Sequence, residues 1–304
     1  SMRPYKDHTR MKGITKHHFL LHFIVFIWGW SPIFGKAISL QAFQLVWFRI
    51  LITLVALALY FGWRRTPLKV SKKNLGILLG IGCIISFHWF CFYNAIKVSN
   101  VSITLVAFST GTLFTSIIEP IFYKRKFYIY EMFFGMAIIG AIYMIFSIET
   151  QYYLGIIYGI LAAFTSSLFT VWNGLLVREM DSPVITFYEL TGGLLSLTAY
   201  LLFAGEFSEP FFTVSAQDYF FLSIFCVVGT AFPFVASVNL LRKLSPYTVT
   251  LTVNLETVYG IIFAFLLWPE TEKMQGSFYL GASLILAVIF ANALLKARLN
   301  YKKR

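Results

Sequence analysis

Four ionisable side chains stand inside long apolar stretches of this chain: Arg49, Glu119, Glu189 and Glu256. A charge in hydrocarbon costs several kcal/mol unless it is paired or hydrated, so each is a candidate for function. Glu256 is preceded by Asn254, and Tyr259 and Gly260 follow at i+3 and i+4 on its own helix face. A carboxylate placed there could bind a substrate amine or carry a proton; it could equally be a structural group bonded to neighbouring helices. Arg49 sits about 10 Å inside its helix end. It could hold a substrate carboxylate through its planar fork, or it could snorkel and tie helices together. Glu189 occupies a similar depth from the opposite edge, which argues against a direct pair with Arg49. Glu119 has Lys124 and Arg125 nearby, which suits an inner gate or a local ion pair. Lys36 and Lys97 fall at helix ends, where they snorkel or draw anions to an outer mouth.

The uncharged candidates follow the same logic of polar groups at depth. His88 and Phe92 share a face at i+4, beside Trp89. Trp28, with Trp30 and Ser31 close behind, is too deep for an interfacial anchor and lines a cavity or packs between helices. Trp172 with Asn173, and Thr110 with Thr112, are polar groups near the midplane, where lining a cavity competes with plain helix packing. Several other chemistries are absent. Cys83, Cys91 and Cys226 show no paired spacing, so neither a disulfide framework nor a zinc site is expected. No H-E-x-x-H cluster and no G-x-x-x-x-G-K-[ST] loop occurs. No nucleophile and base stand at matched depth. An enzyme is therefore not expected, nor is a cofactor, a metal or direct ATP drive.

The elements that must position these groups are membrane helices. Of 304 residues, 58% are hydrophobic and only 12% charged, yet the net charge is +12. Soluble domains average about 25% charged residues, so this chain has lipid as its solvent. Ten stretches approach the ~20 apolar residues that span a bilayer: 18–38, 43–63, 75–95, 99–122, 128–148, 153–175, 183–204, 218–240, 246–268 and 276–297. With both termini in the cytoplasm, 21 Lys and Arg fall on that side and three, Lys36, Lys97 and Lys273, outside. The positive-inside rule then fixes the orientation, and the basic balance needs no nucleic acid to explain it. The 33 Phe, 17 Tyr and 7 Trp do not by themselves specify an aromatic substrate, because lipid-facing positions use such residues freely.

The chain also reads as duplicated. Ser99-x-x-Ser102-x-Thr104 opens the fourth span and Ser245-x-x-Thr248-x-Thr250 the ninth, while Phe48-Arg49 aligns with Tyr188-Glu189. Five spans per half force the second half to enter from the opposite face, giving an inverted repeat. The expected organisation is a basic cytoplasmic segment at 1–16 (Ser1-Met2 resembles an expression scar), repeats at 17–149 and 150–298, and a basic tail at 299–304. The fold class is all-α membrane protein, two inverted five-helix repeats, and the expected location is a bacterial inner membrane.

Trp28-Gly29 with Lys36, Phe48-Arg49, Asn94-Ala95-Ile96-Lys97, and Leu255-Glu256-Thr257-Val258-Tyr259 ahead of Pro269-Glu270-Thr271-Glu272 together resemble the EamA-type branch of the drug/metabolite transporter superfamily over roughly 17–298. Departures are Ser31-Pro32 where Asn is usual, Thr110 in place of Glu or Ser, Glu119-Pro120 opposite Phe265, and Lys124-Arg125-Lys126. The resemblance implies a ten-helix exporter of amino acids or related metabolites, with helices 1, 3, 4, 6, 8 and 9 around a central cavity and helices 5 and 10 outside. The expected partners are a small-molecule substrate and the bilayer, with proton coupling through Glu256 to be tested. A lipid or lipid-linked headgroup flippase is the alternative on the same fold.

Overall fold

The computed structural model describes residues 16–65, 67–124, 126–127, 133–134, 136–138, 140–141, 143–144 and 150–302. Among the described residues every regular element is helical, and eight stretches are long and apolar enough to cross a membrane: Lys16–Ala37, Ala42–Arg64, Lys72–Val98, Val101–Tyr123, Thr150–Leu176, Ser182–Ala204, Ala216–Leu240 and Pro246–Leu267. The span expected at 128–148 lies largely outside the described residues. The one expected at 276–297 falls within a helix over Gly276–Lys302, where Gly276–Val288 forms a shorter apolar stretch. Exposed apolar side chains such as Trp63, Leu59, Phe203 and Leu266 belong against lipid, since a water-facing surface rarely carries so many together.

Several spans are broken, and each break has a local cause. The first consists of α1 (Lys16–Trp28) and α2 (Ser31–Ala37), parted at Gly29-Trp30 with Pro32 in the first turn of α2. A Cβ on Gly29 would lie 2.7 Å from the Cβ of Tyr259, so only glycine permits that approach. The spans α3 (Ala42–Arg64) and α4 (Lys72–Val98) are continuous. The fourth span divides into α5 (Val101–Phe108) and α6 (Gly111–Tyr123). At that joint Ser109 Oγ donates to Val106 O (2.6 Å) and Thr110 Oγ1 to Ala107 O (2.7 Å), side-chain bonds that bend helices.

In the second half α7 (Tyr153–Leu176) and α8 (Ser182–Ala204) are unbroken. The loop expected near 205–217 contains one helical turn, α9 (Glu209–Phe212). The next span runs through α10 (Ala216–Cys226), a π-helical segment over Val227–Ala231 and α11 (Phe232–Leu240). Pro233 explains the wide turn. A proline ring clashes with the carbonyl four residues earlier, here that of Gly229, and an i→i+5 turn relieves the clash. Then come α12 (Pro246–Leu267), the turn α13 (Pro269–Glu272) and α14 (Gly276–Lys302).

The halves interlock. α4 packs between α7 and α8, while α12 packs on α1, α5 and α6. Small residues permit the α4–α8 crossing: a Cβ on Gly82 would collide with the carbonyl of Glu189, and one on Gly192 with the backbone of Leu79. Close backbone approach through glycine is a major source of helix association in lipid. Gly82→Val is therefore expected to cost about 1–3 kcal/mol of overpacking, seen as a lower melting temperature of the detergent-solubilised protein. An unchanged melting temperature would contradict the crossing.

Candidate functional site

Arg49 is on α3 and only 3% exposed. Its Nε donates to Thr230 Oγ1 (3.0 Å) and its Nη1 to Tyr93 Oη (2.5 Å). Its guanidinium carbon lies 3.9 Å from the ring centroid of Trp89 and 4.5 Å from that of Phe225, where the ring quadrupoles attract a desolvated cation. The π-helical segment supplies Thr230, whose hydroxyl also donates to Phe225 O (3.2 Å). Tyr93 Oη shares a further bond with Ser31 Oγ (2.9 Å). Among the described residues no carboxylate is within ion-pair distance of Arg49 and no acceptor bonds its Nη2. The cation is thus oriented by neutral groups and keeps donor capacity in reserve.

Arg49 lines a cavity shared with Trp28 and Ser31 of the first span, His88, Trp89, Phe92 and Tyr93 of α4, and Asn173 of α7. Thr230 and Phe234 complete one wall and Glu256 of α12 another. The space open to the centre of a water-sized sphere is about 90 Å³, room for several waters or part of a small solute. The resemblance implies lining by helices 1, 3, 4, 6, 8 and 9; α3, the second span, joins them through Arg49. Glu256 is 5% exposed and, among the described residues, has no hydrogen bond or ion pair. A buried cation and a carboxyl group that share no ion pair, but lie close enough to feel each other's charge, therefore face one largely apolar space. Such a space can take the two charges of a zwitterion, because low dielectric strengthens each contact. His88, though on another helix from Glu256, lines the same cavity.

The remaining sequence candidates lie elsewhere. Asn254 Nδ2 donates to Thr112 Oγ1 (2.6 Å), which joins α12 to α6. Thr110 bonds its own helix at the joint already described. Trp172 packs edge-on against Phe122 and Tyr259 against Phe26. Glu189, fully buried on α8, accepts from Asn173 Nδ2 (3.2 Å) and leaves its Oε1 without a partner. It does not form an ion pair with Arg49.

The charges at the span ends serve the halves' mutual attachment. Glu119 Oε2 accepts from the backbone N–H of Tyr247 (2.9 Å), at the first turn of α12. Glu272 does the converse for α5. Its Oε2 accepts from the N–H of Ser102 (2.9 Å) and its hydroxyl (2.8 Å), while Oε1 accepts from the N–H of Val101 (3.2 Å). Each carboxylate thus satisfies orphan donors at a helix N-terminus of the other half. Lys36 does not point to free solvent: it pairs with Glu272 Oε1 (2.6 Å) and lies 4.9 Å from the Trp268 ring centroid. Lys97 donates to Ile38 O (2.5 Å). Glu272→Ala removes the counter-ion of Lys36, which keeps Thr271 Oγ1 (2.6 Å), and strips Val101 and Ser102 N–H of their acceptor, and is expected to cost about 3 kcal/mol. The check is the melting temperature. Lys36→Met should cost less, because the helix donors keep their carboxylate.

Tyr93 and Thr230 carry the Arg49 geometry, and sequence reasoning did not single them out. Tyr93 had a usable signal, since it lies four residues after Trp89 on the same face of α4. Thr230 had only the Gly229–Pro233 pairing to mark it.

Comparison with known proteins bears on the whole chain. No curated protein sequence matches it. A solved structure titled "Crystal structure of protein" superposes with a TM-score of 0.66 at 14% identity, covering 93% of this chain and 99% of its own; that likeness establishes the fold. The model of the EamA-like transporter family matches twice, at residues 15–147 and 153–294. With one match in each half and nearly the full length covered, the chain belongs to the EamA-like transporter family, and is a membrane transporter of the drug/metabolite type.

Proposed function

We propose that the protein exports amino acids or closely related zwitterionic metabolites from the cytoplasm by alternating access, the two halves rocking about the cavity. The observation that carries this reading is that Arg49 and Glu256, opposite charges that share no ion pair, line the same cavity. A substrate α-carboxylate suits the guanidinium edge, as a two-point hydrogen-bonded pair. The α-ammonium suits Glu256. Inverted repeats supply the symmetry that lets one site face either side in turn, and the charge distribution of the loops favours both termini in the cytoplasm.

Ligand-induced stabilisation of the purified protein tests the substrate class. A ligand at 100 times its Kd adds about 2.7 kcal/mol. Amino acids should raise the melting temperature, and their carboxamides and deaminated acids should do so far less. Stabilisation by phospholipid headgroups instead would favour a flippase.

A further inference from the structure

We propose that His88 selects among substrates by accepting a hydrogen bond from an N–H or O–H group of the substrate's side group. This rests on the transporter reading above. His88 Nδ1 lies 2.8 Å from the carbonyl oxygen of Ala162. A carbonyl only accepts, so Nδ1 carries the proton, and in the neutral ring Nε2 is a bare acceptor. Among the described residues nothing donates to Nε2, and His88 lines the cavity. The ring is held by Phe92, Phe108 and Phe169, with centroids 6.3, 5.7 and 5.4 Å away. Its acceptor is therefore fixed in direction, and the three rings that hold it offer no donor of their own.

In the reading above Glu256 takes the α-amine, so a substrate whose carboxylate rests on Arg49 has its side group left to meet His88, which lines the same cavity. A site with an oriented polar group rejects an analogue that lacks the matching donor far more strongly than an apolar pocket rejects a missing methylene, because the polar group loses water and gains nothing.

The test measures Kd by thermal stabilisation for pairs differing in one hydroxyl: tyrosine and phenylalanine, and the deaminated pair 4-hydroxyphenylpropionate and phenylpropionate. In the wild-type protein the donor-bearing member should bind at least tenfold more tightly. His88→Phe should bring the ratio within about twofold, and His88→Gln, which keeps an acceptor, should restore part of it. The substitution strands no carbonyl, because Ala162 O also accepts from Thr165 Oγ1 (3.1 Å). Equal binding of the pairs, a preference that survives His88→Phe, or binding of no probe overturns the proposal. Deaminated acids that bind as well as amino acids, with the donor preference intact, would instead overturn the zwitterion reading and leave the role of His88 standing.

Discussion

Arg49→Met should lower amino-acid transport at least about 100-fold while leaving the protein as stable as before or more so. The two halves of that expectation have one origin. A guanidinium taken out of water loses hydration that two hydrogen bonds to neutral hydroxyls repay only in part, and replacing such a charge by an apolar side chain of similar length is often neutral or stabilising. The neighbours are not stranded: Tyr93 keeps Ser31 and Thr230 keeps Phe225 O. A substrate carboxylate, by contrast, loses charge-assisted bonds worth about 1.5–3 kcal/mol each, and 100-fold corresponds to about 2.7 kcal/mol. Arg49→Lys should recover a small part, since an ammonium cannot reproduce the planar fork. Uptake into proteoliposomes and the melting temperature, measured on the same preparation, check both halves. If Arg49 were only a helix tie, the melting temperature would fall and transport by the surviving protein would be near normal.

Glu256→Gln should abolish the pH dependence of transport and weaken zwitterion binding at least tenfold, with folding intact. The carboxyl group faces a cavity that also holds Arg49, His88 and Tyr93, and it has no protein partner of its own among the described residues. Its charge is therefore balanced by the more distant Arg49, by a substrate cation or by a proton. Glutamine keeps the shape and removes all three options for charge. Transport rates at several pH values, with and without an imposed proton gradient, give the readout. An unchanged pH profile would remove Glu256 from any coupling role.

How far these groups could be read beforehand depends on what kind of signal each left in the sequence. Arg49 and Glu256 were legible because an ionisable residue in an apolar span needs a reason. The spans were legible from length and composition, and the observed Ala42–Arg64 and Ser182–Ala204 fall within a residue of the stretches read as 43–63 and 183–204. Which helix faces meet was not legible. Buried membrane helices are apolar on every side, so periodicity does not mark the inner face. Asn254, Thr112 and Tyr259, for which the sequence leaves cavity lining and helix contact both open, make helix contacts, and Tyr93 and Thr230 at the cavity were passed over. The π-helical turn that delivers Thr230 depends on Gly229 and Pro233 together, a pattern a proline alone does not predict. Glu272 was read as part of a loop motif; its role emerges only when α13 folds back over the start of α5.

The claim that one cavity reads both charges of a zwitterion is tested most directly by proteoliposome uptake of a radiolabelled amino acid in competition with three unlabelled analogues: the same amino acid, its carboxamide and its deaminated acid. The parent should compete fully and both analogues at least tenfold more weakly. In Arg49→Met the carboxamide penalty should vanish, and in Glu256→Gln the penalty for the missing amine should vanish. Competition by all three with equal strength, or penalties unchanged in the two variants, would contradict a site in which Arg49 and Glu256 hold the two ends of the substrate.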